Sequence, residues 1–437
     1  MGAFASGSVR VGMKGGVMCK LIAFELKKML FTKVSLFVNV GVLLLLGAIM
    51  ASNIAQQITA SSVDVQLRGT AAIAQAREMR QTHAGPLTPD RIVEDMAHYR
   101  TMAFEKIEPS RLAGLSDAAA FSLMSETYDR DTLARFYDPY YAYLLSPWKT
   151  GAQEPYQIAA GIDSNEAAGF YEAVSSKVKG RLDDGGGGGV WVYSDAEREY
   201  WMSKQASVET PFEYGYVEGW SDIIDCIGFL VFAVLAVCVT LSSVFAGEYQ
   251  ARTDAILLSS RYGRSRLVVA KIAASFIYTT ALFVLATIIV CGVPLAFFGV
   301  GGATLPLQNI DLAIPYGLTM VQAVLLEVGL AYLMTLGFAA LTLFLSAHMR
   351  SALGVFVVDM VLVVLTAMIP SGGNGIIARI TDLFPYGAAS VSFGSLVSYP
   401  FGPLVLDLPS MIVVVYSLVI ILCIPLSAAS FRRHQVA

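Results

Sequence analysis

The chain has 437 residues, of which 55% are hydrophobic and only 15% are Asp, Glu, Lys or Arg. Because soluble globular chains carry roughly 25% charged residues, this composition excludes an ordinary soluble protein and indicates an integral membrane protein. The formal net charge of −4 gives no sign of a nucleic-acid partner, and it says little as a whole because the charges are unevenly placed.

Apolar runs of about twenty residues, the length that a helix needs to cross the hydrocarbon core of a bilayer, recur along the chain. In chain order, the predicted membrane helices cover about 34–55, 223–246, 271–298, 317–347, 352–370 and 411–430. A polar segment, 1–33, precedes the first helix, and a large polar insertion, 56–220, separates the first helix from the second. The predicted fold class is therefore an all-α integral membrane protein with six transmembrane helices in 34–55 and 221–437 and a separate domain between helices one and two.

Lysine and arginine gather on one side of these helices. Before the first helix stand Arg10, Lys14, Lys20, Lys27, Lys28 and Lys33, with Glu25 as the single acid, and between the second and third stand Arg252, Arg261, Arg264, Arg266 and Lys271. The 56–220 insertion holds 24 acidic and 15 basic residues, a net charge of −9. The positive-inside rule therefore predicts cytoplasmic termini, an extracytoplasmic insertion and a multi-pass protein of the plasma membrane. The alternative, that the first apolar run is a signal peptide, is disfavoured because a polar leader of about thirty residues is too long.

The 56–220 insertion is predicted to be mainly α-helical. The stretch 61–81 is rich in Ala, Gln and Arg, which are good helix formers. Thr88 suits an N-cap and Pro89 suits the first position of the helix that follows. The aromatic stretch 135–148 is best interpreted as the core of this domain.

The sequence contains none of the common catalytic motifs. There is no H-E-x-x-H, no G-x-S-x-G and no Walker lysine motif. The four histidines and five cysteines show no metal-ligand spacing. We therefore predict no catalytic residue, no metal site and no ATP hydrolysis by this chain.

Two acids lie inside apolar runs, where ionisable residues are costly and often functional. At about 1.5 Å per residue, Asp359 lies roughly 13 Å from Arg350, close to the middle of the membrane. By the same rise, Glu327 lies roughly 31 Å from His348, near the outer edge, where an acid costs little. Asp359 is therefore either a polar point on a translocation path, in contact with a cationic or hydroxylated substrate, or a protonated or hydrogen-bonded acid within helix packing.

The segment 245–271, "FAGEYQARTDAILLSSRYGRSRLVVAK", is the predicted cytoplasmic connection between helices two and three. Its basic residues suit an anchor at lipid phosphates, but an anchor does not explain an apolar cluster that faces the cytoplasm. That cluster is Ala255, Ile256, Leu257 and Leu258, in a stretch that can form a short helix ended by Gly263. A short helix that offers Leu and Ile to the cytosol fits a groove on another protein.

This segment resembles the signature of the permeases of type-2 ABC exporters, also called the type V class. The matching positions are Glu248, Thr253, Leu257, Leu258, Ser259, Arg264, Arg266, Leu267 and Lys271. Ala251 and Arg252 depart from the pattern, because the family often has a small residue or Gly there. The N-terminal "LIAFELKKMLFTK" (21–33) looks like the amphipathic elbow helix of the family. "LFPYGAAS" (383–390) resembles its segment before the last helix, where the family has short outer re-entrant helices, here near 375–400.

The stretches "GPLTPDRIVEDMAHYR" and "PFEYGYVEGW" are similar to a subgroup of these permeases, common in Gram-positive gut bacteria, that carries a large extracytoplasmic insert after the first helix. The resemblance implies the permease subunit of an ATP-driven exporter. Such a chain has no cofactor of its own, and ATP and Mg²⁺ bind to a separate ATPase subunit. A second permease chain, identical or homologous, would face this one across a pathway lined mainly by helices two and five, to which Asp359 would contribute.

The resemblance also implies where the ATPase binds. Residues near 248–262 would form a coupling helix that docks onto the ATPase. The coupling residues implied are Glu248, Thr253, Ile256, Leu257, Leu258, Arg261, Arg264 and Arg266.

Two other functions remain open. One is a mechanotransmitting permease, whose outer domain moves to drive another protein; such permeases usually have four membrane helices. The other is a receptor or sensor subunit, whose outer domain binds a ligand while 245–271 signals to a cytoplasmic partner. The sequence does not indicate the cargo, or whether the second permease is a copy of this chain.

Overall fold

The computed structural model describes residues 6–62, 65–112, 114–185, 191–253, 265–365 and 375–433, together with residues 256, 259, 263 and 368. This part of the chain is mostly helical, and five of its helices are long and apolar enough to cross a membrane. It is therefore an α-helical membrane protein in its main architecture.

Two helices begin the chain. α1 (Ser6–Leu30) contains most of the predicted elbow segment, and α2 (Lys33–Gln56) contains the predicted first membrane helix. Thr32 lies between them as the N-cap of α2, and its Oγ1 accepts a hydrogen bond from the backbone N–H of Ser35 at 3.4 Å. Because this cap satisfies one of the free N–H groups at a helix start, a new helix begins at Lys33.

A short antiparallel hairpin of β1 (Ile58–Ser62) and β2 (Val65–Arg68) follows α2. The prediction of a helix over 61–81 is therefore wrong for the described residues before Gly69. β-branched residues in both strands favour the hairpin, and Gly69, with φ of +58°, adopts a conformation at its end that glycine reaches without strain. α3 (Thr70–Thr82) then occupies the remainder of the predicted helix.

The rest of the 56–220 insertion is built mainly from short helices. In chain order they are α4 (Pro89–Ala103), α5 (Asp117–Thr127), α6 (Arg130–Arg135), α7 (Pro139–Leu145), α8 (Pro155–Ala160), α9 (Ser164–Ala168), α10 (Phe170–Asp183) and α11 (Asp195–Ala206). β3 (Gly85–Pro86) pairs with β4 (Glu213–Tyr214) and joins the two ends of this helical region.

Aromatic side chains form the core of the insertion. Phe136 and Tyr140 are 0% and 1% exposed, and the hydroxyl of Tyr99 on α4 donates a hydrogen bond to the carbonyl oxygen of Phe136 at 3.0 Å. The interpretation of 135–148 as a core is confirmed. The predicted N-cap is confirmed as well, because Thr88 Oγ1 accepts a hydrogen bond from the backbone N–H of Arg91 at 3.3 Å.

The remaining helices form the apolar part of the protein. They are α12 (Glu218–Cys226), α13 (Val231–Leu241), α14 (Ser243–Gln250), α15 (Arg266–Phe298), α16 (Met320–His348), α17 (Ala352–Met360), α18 (Ile376–Thr381), α19 (Pro385–Ala389) and α20 (Leu408–Arg433). A 3₁₀ turn, Ile227–Leu230, joins α12 to α13, and α14 follows α13 after Ser242. The three helices form one apolar run, Glu218–Gln250. The five long helices are this run, α2, α15, α16 and α20. The run overlaps predicted helix two, and the other four overlap predicted helices one, three, four and six.

The predicted fifth membrane helix, 352–370, is described only in part. α17 continues into a π-helical turn, Val361–Leu365, and the resulting apolar helix is shorter than the other five. Residues 366–367 and 369–370 lie outside the described residues. A sixth crossing of the membrane therefore stays a prediction.

The segment before α20 contains a hairpin as well as short helices. α18 and α19 lie in the range 375–400, where short re-entrant helices were predicted, and β5 (Ser398–Phe401) then pairs with β6 (Leu404–Asp407). The sequence analysis did not predict these strands. Gly402, with φ of +67°, supplies the positive φ that a two-residue hairpin loop requires.

Polar contacts show which segments lie at each end of the protein. At one end the Oδ1 atom of Asn309 accepts a hydrogen bond from the backbone N–H of Gly215 at 3.0 Å, and Trp201 Nε1 donates to Ser398 Oγ at 3.3 Å. These contacts place the insertion, the loop between α15 and α16, and the β5–β6 hairpin at the same end. At the opposite end, α14 contacts the end of α16.

Glycine permits the close packing of α16 against α20. A Cβ atom added at Gly337 would lie 2.4 Å from Cδ1 of Tyr416, a separation that real Cβ contacts do not reach. The hydroxyl of Tyr416 donates to the carbonyl oxygen of Leu383 at 2.7 Å. This one tyrosine therefore connects α16, α20 and the segment that carries α18 and α19.

Candidate coupling site

A buried lysine joins three helices at the end of the protein opposite the insertion. Lys271, on the second turn of α15, is 1% exposed. Its Nζ atom lies 3.0 Å from Glu25 Oε2 on α1, 3.0 Å from Glu248 Oε1 on α14 and 3.2 Å from the carbonyl oxygen of Val244. An ammonium group has three N–H donors, so these three acceptors satisfy it completely.

Glu248 extends this ion cluster toward the next residues of the chain. Lys28 Nζ lies 2.5 Å from Glu248 Oε1, and Thr253 Oγ1 donates to Glu248 Oε2 at 2.6 Å. The backbone N–H of Thr253 also donates to the carbonyl oxygen of Glu248 at 3.1 Å. We define Glu25, Lys28, Glu248, Thr253 and Lys271 as the ion cluster.

Local sequence and apolar packing explain why these charges meet. Glu25 and Lys28 are three residues apart on α1 and therefore share one face of that helix. Apolar residues such as Met29, Val244 and Phe245 are buried around the cluster. Paired charges in such surroundings are stable only together, because removing one partner leaves the other buried and uncompensated.

A backbone turn with a positive φ brings Thr253 back to Glu248. Arg252 has a φ of 52°, a left-handed conformation that costs a residue with a Cβ about 1–2 kcal/mol. Its backbone N–H donates to the carbonyl oxygen of Tyr249 at 3.2 Å. Arg252 is one of the two positions where the sequence departs from the family pattern of a small residue or Gly, and here it adopts a conformation typical of Gly.

The end of α14 is also attached to α16. Ser346 Oγ accepts hydrogen bonds from the backbone N–H groups of Phe245 and Ala246, both at 3.0 Å, and donates to the carbonyl oxygen of Ser242 at 2.8 Å. The hydroxyl of Tyr249 donates to the carbonyl oxygen of Ala347 at 3.1 Å. α16 therefore contacts the same end of α14 as the ion cluster does.

The predicted coupling residues fall into four groups. The structure brings Glu248 and Thr253 together, leaves Ile256 72% exposed, and starts α15 at Arg266. Leu257, Leu258, Arg261 and Arg264 lie outside the described residues, as does most of the predicted coupling helix, so their role remains a prediction.

Sequence reasoning did not include three members of the ion cluster among the site residues. These are Glu25, Lys28 and Lys271. Glu25 is the single acid among the basic residues before the first membrane helix, and its isolation was a signal that it pairs with one of them or with a cation elsewhere. Its separation of 246 positions from Lys271 hides that partner in the sequence.

Asp359 lies where three helices meet. It is 0% exposed within the chain, and its Oδ2 atom accepts a hydrogen bond from Thr342 Oγ1 on α16 at 2.9 Å. The same hydroxyl lies 3.5 Å from Cys238 Sγ on α13. Asp359 therefore joins α13, α16 and α17, and its predicted place on a translocation path remains a prediction.

The burial of Glu327 differs from what its depth in the membrane predicts. It was expected to lie at low cost near the outer edge of the membrane, yet it is 1% exposed. It lies beside the backbone of Val391 and has no side-chain hydrogen-bond partner among the described residues. The distance along one helix gives depth but not coverage by neighbours, and here the segment after α19 covers Glu327.

No group of three or more His, Cys, Asp or Glu side chains that could hold a metal ion occurs in the described part of the chain.

A family model described as "ABC-2 family transporter protein" matches residues 26–434. No curated protein and no solved structure matches the chain.

Proposed function

Because the chain belongs to the ABC-2 transporter family, and is therefore a membrane permease subunit of an ABC transporter, we propose that it forms part of the pathway of an ATP-driven exporter. In this proposal a separate ATPase subunit binds ATP and Mg²⁺ and docks at residues near 248–262. A second permease chain, identical or homologous, completes the pathway. The protein lies in the plasma membrane of a bacterium, with the insertion on the outer side.

The observation that carries the proposal is the ion cluster. It connects α1, α14 and α15 through buried charges at the point where the chain leaves α14 for the predicted coupling helix. Because a buried ion pair with one partner removed costs several kcal/mol, the three helices resist separation. A displacement of the coupling segment is therefore passed to all three helices together.

The exposed apolar residue next to this cluster supports docking. Ile256 is 72% exposed and lies three residues beyond Thr253. An exposed isoleucine gains free energy when a partner's groove covers it. Leu257 and Leu258 follow it in sequence, and the proposal gives them the same role.

Substitution of Leu257 and Leu258 by Asp tests the docking. The variant is expressed with a partner ABC ATPase and purified through a tag on the permease. We expect the ATPase to be lost from the purified complex and ATP turnover to fall, because two buried carboxylates oppose the apolar contact.

A matched control separates docking from general effects of new charge. Val192→Asp with Val300→Asp adds the same two charges at residues that are 89% and 68% exposed at the other end of the protein. This control should retain the ATPase. Equal ATPase recovery from the Leu257/Leu258 variant and the control would show that the segment does not dock.

One observation favours a second candidate, a mechanotransmitting or receptor subunit. Ion pairs attach α11 of the insertion to the segment before α20: Arg379 Nη1 lies 3.3 Å from Glu197 Oε1, and Lys204 Nζ lies 2.6 Å from Asp407 Oδ2. Burial alone would raise the pKa of Asp407, but hydrogen bonds from Lys204 and Ser410 outweigh it and hold that pKa below its usual value. Through these pairs, movement of the insertion and movement of the membrane helices are linked.

A transport assay decides between the candidates. The complex with its ATPase is reconstituted in vesicles, and ATP-dependent export of lipid, peptide and hydrophobic dye probes is measured. Export of any probe supports the exporter. ATP turnover that responds to an outer ligand, with no export of any probe, supports the second candidate.

A further inference from the structure

A polar cleft of about 300 Å³ lies where the insertion meets the loop between α15 and α16. One wall is the segment that follows α11 and carries Glu209 and Glu213, and the other contains Thr304, Gln308 and Thr319. The cleft lies at the end of the protein opposite the ion cluster, and neither the predicted sites nor the coupling mechanism includes it.

The cleft has negative charge and no cation of its own. Glu209 and Glu213 are both exposed, and none of the residues described around the cleft is Lys, Arg or His. The whole 56–220 insertion carries a net charge of −9, from 24 acidic and 15 basic residues. Both the local and the longer-range electrostatic potential therefore attract a cation.

Gln308 supplies a second, neutral acceptor. This side chain is 0% exposed, and its Nε2 atom donates to the carbonyl oxygens of Ile314 and Tyr316 at 2.8 and 3.0 Å. Because both amide hydrogens are used, Oε1 is left as an acceptor, and it has no hydrogen-bond partner among the described residues. A buried acceptor without a partner is costly, so a donor that reaches Oε1 from the cleft gains free energy from pairing with it.

The two walls are held in position before any ligand arrives. Asn309 Nδ2 donates to the carbonyl oxygens of Glu213 and Pro306 at 2.9 and 3.0 Å, and its Oδ1 accepts from the backbone N–H of Gly215 at 3.0 Å. One side chain thus connects the insertion to the membrane part directly at the cleft. A preorganised site loses less conformational freedom on binding.

We propose that this cleft binds a primary ammonium or guanidinium group. The carboxylates of Glu209 and Glu213 provide the ionic partners, and Gln308 Oε1 accepts one of the several N–H donors that such a group carries. The group belongs either to a free polyamine or to a Lys or Arg side chain of a peptide. Because the bound group contacts both walls, it strengthens the attachment of the insertion to the membrane part.

The test uses the full chain in lipid nanodiscs at low ionic strength, with spermidine and trilysine as probes in isothermal titration calorimetry. We expect the wild type to bind at least one probe and Glu209→Gln with Glu213→Gln to weaken that binding about tenfold or more. Glu105→Gln with Glu126→Gln is the matched control, since it removes the same charge from exposed residues elsewhere in the insertion.

A steric variant gives an independent readout. Gly317 borders the cleft, and an added Cβ would lie 3.6 Å from the carbonyl oxygen of Ser207, which is ordinary contact. Gly317→Ala should narrow the cleft and weaken binding while the thermal unfolding midpoint stays that of the wild type.

The two probes distinguish the sources of the ligand. Binding of spermidine supports the proposal with the cationic group alone as the determinant, and binding of trilysine alone supports a peptide ligand. No binding of either probe to the wild type overturns the proposal, and so does equal binding by the Glu209/Glu213 variant and its charge-matched control. The ATPase docking experiment does not depend on this result.

Discussion

Replacement of Lys271 by methionine tests the ion cluster most directly. The Lys271 side chain is 1% exposed, and those of its partners Glu25 and Glu248 are 5% and 8% exposed. Methionine keeps the length and apolar volume of the side chain but removes its charge. The two buried carboxylates then face each other with only Lys28 as a cation, and loss of one partner from a buried pair costs about 3–5 kcal/mol.

Lys28→Met is the matched control, because it removes the same charge from the same carboxylate. The Lys28 side chain is 51% exposed, and ion pairs open to solvent contribute only about 0–1 kcal/mol. We therefore expect a difference of about 2–5 kcal/mol in the free energy of unfolding between the two variants. Adding Glu25→Gln to Lys271→Met should restore part of the loss, because it removes one of the two uncompensated charges.

The free energy of unfolding is measured on the purified chain in mixed micelles by titration with SDS, with tryptophan fluorescence as the signal. Co-purification of the ATPase is measured in parallel for each variant. If Lys271→Met costs no more than Lys28→Met, the buried charges do not hold α1, α14 and α15 together. The proposed route from the coupling segment to these helices then loses its basis.

Three further predictions use the same unfolding measurement. Gly337→Ala should lower the free energy of unfolding by about 1–3 kcal/mol, because its Cβ would lie 2.4 Å from Tyr416. Gly329→Ala on the same helix is the control, and it should be neutral or stabilising because nothing lies within 4 Å of its added Cβ. Equal losses in the two variants would contradict the packing argument. Arg252→Gly should raise the free energy of unfolding by about 0.5–1 kcal/mol, because relief of the strain at positive φ exceeds the entropic cost of glycine. A lower free energy of unfolding would show that contacts of the arginine side chain contribute more than the strain costs. Burial raises the pKa of Asp382 to about 6, above the value of about 3.9 in an unfolded chain, so the fold loses stability as pH rises through this window. Asp382→Asn should therefore gain about 3 kcal/mol at neutral pH and little near pH 4. A gain that does not depend on pH would contradict the assignment.

The long apolar helices could be predicted from sequence because one property, apolar length, decides them. α2, α15, α16 and α20 all lie at the predicted places, and Thr88 and the aromatic core of the insertion also followed from local rules. The hairpins β1–β2 and β5–β6 did not follow from local rules. β1–β2 and β5–β6 have strands of four or five residues, which is too short for a clear alternating pattern.

The site was less predictable than the fold, because it depends on contacts between distant parts of the chain. Glu248 and Thr253 were found through the family signature, but Lys28 meets Glu248 across 220 positions and Glu25 meets Lys271 across 246. A charge count before the first helix shows an isolated acid and does not show its partner. Glu327 was misjudged for a related reason, since depth along one helix does not report what a later segment covers.

The same long separation has a consequence for how the protein is made. Glu25 and Lys28 leave the ribosome first, and Lys271 follows 246 residues after Glu25. At about 5–20 residues per second, that interval lasts roughly 12–50 s, during which the whole insertion must be synthesised. Until then Glu25 lacks the cation that it contacts in the folded protein. The ion cluster can form only after α15 has entered the bilayer in the correct orientation. Its formation therefore requires that the first half of the protein has been assembled correctly.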